Sequence, residues 1–129
     1  MSTIRVDNFG PSAGGTTYSA RGIAKAWVNF NGTGTIAARD SENVSSLTDN
    51  GTGDYTTNFT SAFANVNFTI TTAQGAADTG LHRDRMINEK ATNRAVSSAN
   101  LISNSSQGSA NAYAEDNEYL YAAIYGDLA

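Results

Sequence analysis

The chain has no cysteine and only one proline among its 129 residues. Without cysteine it has no disulfide, no thiolate metal site and no thiol nucleophile. No apolar run approaches the ~20 residues that a membrane-spanning helix requires, so a membrane is not an expected partner. The opening, MSTIRVDNFGPS, lacks the apolar stretch of a secretory signal, and the sequence reads as a chain made in a cytoplasm. Charge is sparse too: Asp, Glu, Lys and Arg make up 16% of the chain, against roughly 25% in ordinary globular domains. Acidic residues outnumber basic ones, 12 to 8, for a net charge of −4. That balance offers no basic face to neutralise a phosphate backbone, so nucleic acid is not expected either. Asn, Thr, Ser, Gly and Ala take the place of charge and imply a polar, nearly uncharged surface.

Catalytic and metal-binding patterns are equally thin. The one histidine, His82, sits in LHRDR; Asp84 and Ser97/Ser98 are its only conceivable triad partners, and no G-x-S-x-G elbow accompanies them. The carboxylate pairs Asp40/Glu42, Asp49/Asp54 and Glu115/Asp116/Glu118 are close in sequence and read as solvated corners, not as two acids facing a sugar across a cleft. DNGTGD at 49–54 gathers oxygen ligands at Asp49, Asn50 and Asp54, but it lacks the downstream Glu of a calcium loop, and its glycines are explained by a turn. No glycine run leads into Lys-Ser/Thr and a helix, as a phosphate loop would. Asn-x-Ser/Thr triplets at Asn31, Asn43, Asn50, Asn58, Asn67 and Asn104 fit chance in so Asn-rich a chain. The reading is therefore a non-enzyme with no cofactor.

What the sequence does have is alternation. In AKAWVNFN, Ala24, Ala26, Val28 and Phe30 alternate with polar residues and Trp27, which marks a strand. NGTG follows at 31–34 and recurs at 50–53, and Asn and Gly tolerate the positive φ that tight hairpin turns demand. These are read as two corners of a β-meander with a further turn at DSEN, 40–43, between them. Tyr55, Thr57 and Phe59 share one strand face. NVNFTITT places Val66, Phe68 and Ile70 inward. The charge-rich stretch 81–90 reads as part of a long exposed loop with irregular strand pieces, and RAVSSANLISN, 94–104, as a strand with a bulge. The expected architecture is all-β: an antiparallel, jelly-roll-like β-sandwich over residues 22–129. An extended N-terminal arm, residues 1–21, precedes it and serves as an attachment device whose Ile4, Val6 and Phe9 supply the docking side chains.

EYLYAAIYG, 118–126, is apolar or aromatic on both faces. Leu120, Ala122 and Ile124 face one way; Tyr119, Tyr121, Ala123 and Tyr125 face the other. A strand covered on both sides in so small a chain implies that a neighbouring subunit supplies the second cover. Trp27, opposite Val28 and Phe30, has the same need. Trp27, Tyr119, Tyr121 and Tyr125 are thus the expected oligomer interface. The loops at 73–92 and 105–117 carry the candidate receptor-binding residues His82, Arg83, Arg85 and Tyr113, since aromatics beside amides and charged groups suit glycans.

The run 22–68 resembles a module of bacteriophage tail-fibre and related virion surface proteins of marine and cyanobacterial phages. The matching blocks are KAWVNFNGTG (25–34), NVSSLTDNGTGDY (43–55) and NFT (58–60), with looser likeness at STIRVDNF and AAIYGDL. The resemblance implies a trimeric β-sandwich-like domain on the virion, made in the host cytoplasm. Its partners would be two further copies, other virion proteins of the tail, neck or capsid, and a host surface glycan. A capsid decoration or head-fibre protein docked by the arm, with no receptor role, is the alternative. A depolymerase would need a long β-helix for which 129 residues leave no room.

Overall fold

The computed structural model describes residues 3, 6, 8–10, 13–19, 22–75, 85–105 and 113–129. Its strands in chain order are β1 (Asn8–Phe9), β2 (Tyr18–Ser19), β3 (Ala26–Asn31), β4 (Ala37–Glu42), β5 (Val44–Gly51), β6 (Asp54–Phe59), β7 (Thr69–Gly75), β8 (Arg85–Glu89), β9 (Ser98–Ser105), β10 (Tyr113–Ala114) and β11 (Tyr119–Tyr125). One sheet runs β4-β3-β11-β7; the other places β9 between β8 and β6, with β5 outside β6 and the short β10 continuing beside the far end of β9. All pairings are antiparallel. The two sheets enclose a core of Ala26, Val28, Phe30, Leu120, Ala122 and Ile124 from one side and Tyr55, Phe59, Ile87, Ala99 and Leu101 from the other. The expected β-sandwich is what the chain forms.

Period-two patterning decides which residues go in. On β3, β6 and β11 every second residue is buried, as the sequence predicts. The sandwich closes along one side where the Thr72 hydroxyl of β7 donates to the Ile87 carbonyl of β8 at 2.6 Å. At one end Phe63 and Phe68 cap the core, their rings packed tilted against each other at 4.9 Å and edge-on to Phe59 at 5.0 and 6.0 Å. Arg94 locks this cap. Its guanidinium donates to both Glu89 oxygens at 2.6 Å, to the Val66 and Phe68 carbonyls at 2.7 and 2.8 Å, and lies 4.5 Å from the Phe68 ring centre.

The two NGTG copies are hairpin turns, β3 to β4 and β5 to β6, built differently from the same letters. In the first, Asn31 closes its own turn by accepting the Thr33 N–H and hydroxyl at 3.1 and 2.8 Å. In the second, Asp49 does this job for the Gly51 N–H at 2.9 Å, while Asn50 reaches sideways to Thr56 at 2.9 Å. In both, the last glycine is left-handed, with φ of 62° at Gly34 and 66° at Gly53. The meander expected between them is not a single sheet. The chain switches sheets at one residue, Asn43, whose φ is 55°. Asn is one of the few residues with a side chain that visits this region readily. Its side-chain amide also accepts from the Ser61 N–H at 2.7 Å and donates to the Ser61 carbonyl at 3.1 Å, replacing a strand partner at the corner.

Other local expectations need correcting. Residues 85–89 form a regular strand rather than a loop piece; its inward residues include Arg85 and Glu89, each in an ion pair, so its alternation is disguised as charge. Val66 is exposed because β7 starts only at Thr69 and an Asn65 side chain turns the chain before it. The arm's described part is doubled, with Asn8 and Phe9 paired to Ser19 and Tyr18. Ile4 lies outside the described residues.

Gly34→Ala and Gly53→Ala separate backbone strain from crowding. A Cβ on Gly34 meets nothing, so that variant carries only the left-handed penalty, about 1–2 kcal/mol. A Cβ on Gly53 runs into the Ser103 carbonyl and the Glu115 backbone, which adds about 1–3 kcal/mol. Urea midpoints should therefore rank wild type, Gly34→Ala and Gly53→Ala in falling order.

Candidate functional site

Strand direction sorts the molecule into two ends. At the terminal end the chain enters at residues 22–25 and leaves at 126–129, tied by bonds from the Lys25 N–H to the Ile124 carbonyl (2.8 Å), Ala64 to Asp127 (2.8 Å) and Ala129 to Ala62 (3.0 Å). At the other end are both NGTG turns and the strand ends Gly75, Arg85, Ser105 and Tyr113, which flank segments 76–84 and 106–112.

This loop end is organised by Asp116. One of its carboxylate oxygens accepts the Gly53 N–H and the Tyr55 hydroxyl, both at 2.7 Å. The Gly32 carbonyl lies 3.2 Å from the same hydroxyl, and the Gly32 N–H donates to the Asn117 carbonyl at 2.9 Å. The two turns, 19 residues apart, therefore meet on one short segment. Tyr55 is fully buried, its ring edge-on to Phe30 at 5.2 Å. Burial first, and then Asp116 as a hydrogen-bond acceptor and negative charge, push its hydroxyl well above the ordinary tyrosine range. A Cβ on Gly32 would collide with the Tyr55 hydroxyl and Leu120, so only glycine fits there. Asp116 was read from sequence as a solvated corner. No local pattern marks it, because its two donors are more than 60 residues away.

Next to this node lies a polar layer between the sheets. The buried Asn117 amide donates to the Ser103 hydroxyl at 2.8 Å, and Ser103 lies 3.5 Å from the Gln74 amide oxygen. Gln74 Nε2, Ser105 Oγ and Glu115 Oε2 are buried without a hydrogen-bond partner among the described residues. Of the receptor-binding candidates, Tyr113 is exposed on β10, while Arg85 points inward and pairs with Glu115 at 3.3 Å. His82 and Arg83 lie outside the described residues. In DNGTGD, Asp49 Oδ1 accepts from its own turn, and the Asp54 oxygens take the Asn50 amide and an ion pair with Lys90.

The interface candidates fall on one surface. Trp27 on β3 and Tyr119, Tyr121 and Tyr125 on β11 all occupy the outer face of the β4-β3-β11-β7 sheet, each partly exposed. Trp27 pairs with Ala123, and Tyr121 lies between Asn29 and Ala73. A shallow groove of about 570 Å³ opens here between the Trp27 and Tyr121 rings, floored by Asn29, Ala123, Thr71 and Ala73. The Asn29 amide oxygen is buried and has no hydrogen-bond partner among the described residues. A bulge in β4 after Asn29 throws Arg39 across the sheet end, where it stacks 4.3 Å from the Tyr119 ring centre and donates to the Glu118 carbonyl at 2.6 Å. The outer face of the other sheet is different in kind: Asn58 bonds Ser46 and Thr48 at 3.1 Å, and Asn50 bonds Thr56, in a polar lattice.

Compared with family models, with curated proteins and with solved structures, the chain matches none.

The Tyr55 hydroxyl gives an alkaline prediction. An unfolded chain loses this proton near pH 10, whereas the folded chain keeps it, so above that pH stability falls by about 1.4 kcal/mol per pH unit from this group alone. Tyr55→Phe removes that slope while lowering stability at neutral pH by about 1–3 kcal/mol, since it takes one donor from Asp116. Chemical denaturation of both proteins at neutral and alkaline pH checks this.

Proposed function

We propose that the chain is a phage virion structural protein of tail-fibre type, a homotrimer that attaches to the host-cell surface. The observation that carries this reading is the division of the sandwich into a terminal end and a loop end. Both points where the chain enters and leaves the sandwich lie together, and the turns and strand ends around 76–84 and 106–112 lie opposite. A domain held at its terminal end presents the loop end outward. The likeness of residues 22–68 to fibre modules supports the same reading. Binding proteins commonly place variable loops on a rigid scaffold in this way.

The aromatic face supplies the contact between copies. Its rings are half covered and its groove is open. The polar lattice on the opposite sheet already satisfies itself and suits water. Association through the aromatic face covers the rings.

Cell retention tests the attachment role. Labelled full-length protein should stay on host cells. Replacing 76–84 and 106–112 with Gly-Ser segments of equal length should remove retention without moving the thermal transition. Binding to isolated capsids with no retention on cells would replace this reading with the head-fibre one. Light-scattering mass tests the face: Trp27→Ser or Tyr121→Ser should shift a trimer toward monomer at micromolar concentration, and an intact trimer in both would overturn it.

A further inference from the structure

A second surface is open at the terminal end. Ile23, Val66, Val96 and Leu128 are each between 39 and 51% exposed. Val66, Val96 and Leu128 stand on segments bonded to one another, and Ile23 precedes β3 at the same end. The Phe63 N–H donates to the Val96 carbonyl at 2.9 Å, Phe63 forms a bridge to Leu128, and Arg94 holds the Val66 carbonyl. Of the seven large apolar side chains exposed among the described residues, these four lie at this end. The Arg94 charge beside them is fully engaged by Glu89, so it does not oppose an apolar partner.

The arm offers a matching surface. Val6 is 56% exposed, and Ile4 stands two positions before it on an alternating stretch, IRV. The β1–β2 pairing sets Asn8 beside Ser19, a few residues before the sandwich segment that begins at residue 22. Yet in the single chain neither surface covers the other: Val6 and the terminal patch are exposed together. Each lacks what the other offers, and a second copy provides both.

We propose that the N-terminal arm of one copy packs, through Val6, on the Ile23/Val66/Val96/Leu128 face of the next copy. This interlocks the subunits at their terminal ends; it rests on the homo-oligomer of the proposed function but not on the virion role. It also answers a matter of area. The aromatic sheet face has a footprint of roughly 20 by 20 Å from strand spacing and rise, about half of the ~800 Å² per partner that a standard stable interface buries. A second contact makes up the difference. Exchange of arms in a closed ring satisfies every copy equally.

The cysteine-free sequence makes the test direct, since introduced thiols are the only ones. Full-length Val6→Cys/Val96→Cys is oxidised at micromolar concentration and resolved without reductant. The expected result is covalent dimers and trimers. Val6→Cys/Leu128→Cys serves as a second pair should Val96→Cys disturb folding. Val6→Cys/Met86→Cys is the control, because Met86 is as exposed as Val6 but lies on β8 away from the terminal end. A disulfide within one chain would mean that the arm folds onto its own sandwich and would overturn the proposal. So would free thiols in both pairs, as expected if the arm's acceptor is a different protein, or equal cross-linking in the Met86 control. In the unmodified background, Val6→Asp should raise the concentration at which the oligomer dissociates by about tenfold, the effect of one buried valine. Because no cell or virion enters the assay, its failure leaves the attachment reading standing, and the reverse holds.

Discussion

A single carboxylate oxygen of Asp116 is the point on which the loop end depends. It receives the Gly53 N–H and the Tyr55 hydroxyl, and through Tyr55 and Asn117 it reaches Gly32. Asp116 is itself exposed, yet charge-assisted bonds to a carboxylate are about twice as strong as neutral ones. The second hairpin provides both donors, and the first hairpin is joined to it through Tyr55 and Asn117. In return they are fixed relative to each other and to residues 115–117, which lead straight into β11. The position of the central strand of one sheet is therefore set by a bond made to a turn of the other.

The two outer faces solve the problem of solvent contact in opposite ways. On the β5-β6 side, Asn, Ser and Thr side chains bond along and across the strands, and Lys90 spans to Asp54. This explains how a chain with so little charge keeps a wettable surface: amide and hydroxyl groups replace ions. On the β3-β11 side, rings and alanines alternate with a buried Asn29 oxygen that has no hydrogen-bond partner among the described residues. The two outer faces thus differ in kind, one bonded within itself and the other lined with rings.

Much of the fold was legible because period-two alternation and Asn-Gly turns are local signals. β3, β6 and β11 came out with the expected inward rows, and Trp27, Tyr119, Tyr121 and Tyr125 with the expected shared outer face. What alternation does not encode is which sheet a strand joins. The switch at Asn43 leaves no mark beyond an Asn that also fits a turn. β8 escaped because its inward Arg85 and Glu89 are made buriable by Glu115 and Arg94, partners that are remote or beyond the strand. Asp116 escaped for the same reason: its role is made of long-range bonds, and a carboxylate in a polar stretch looks the same whether it is solvated or structural.

The central place of β11 has a bearing on how the chain comes into being. β3 and β7 do not touch as neighbours; each pairs with β11, so both wait for residues 119–125 to be made. Until then the β3–β4 hairpin holds Ala26, Val28 and Phe30 on one side and Trp27 on the other with nothing to lay them against. Contacts between the beginning and the end of a domain are slow to form, and strands left open meanwhile are sticky. During synthesis the nascent domain thus passes through a stage with its two apolar surfaces bare, and the strand that finally shields the inner one also completes the outer aromatic row. Folding and readiness to associate arrive in the same step.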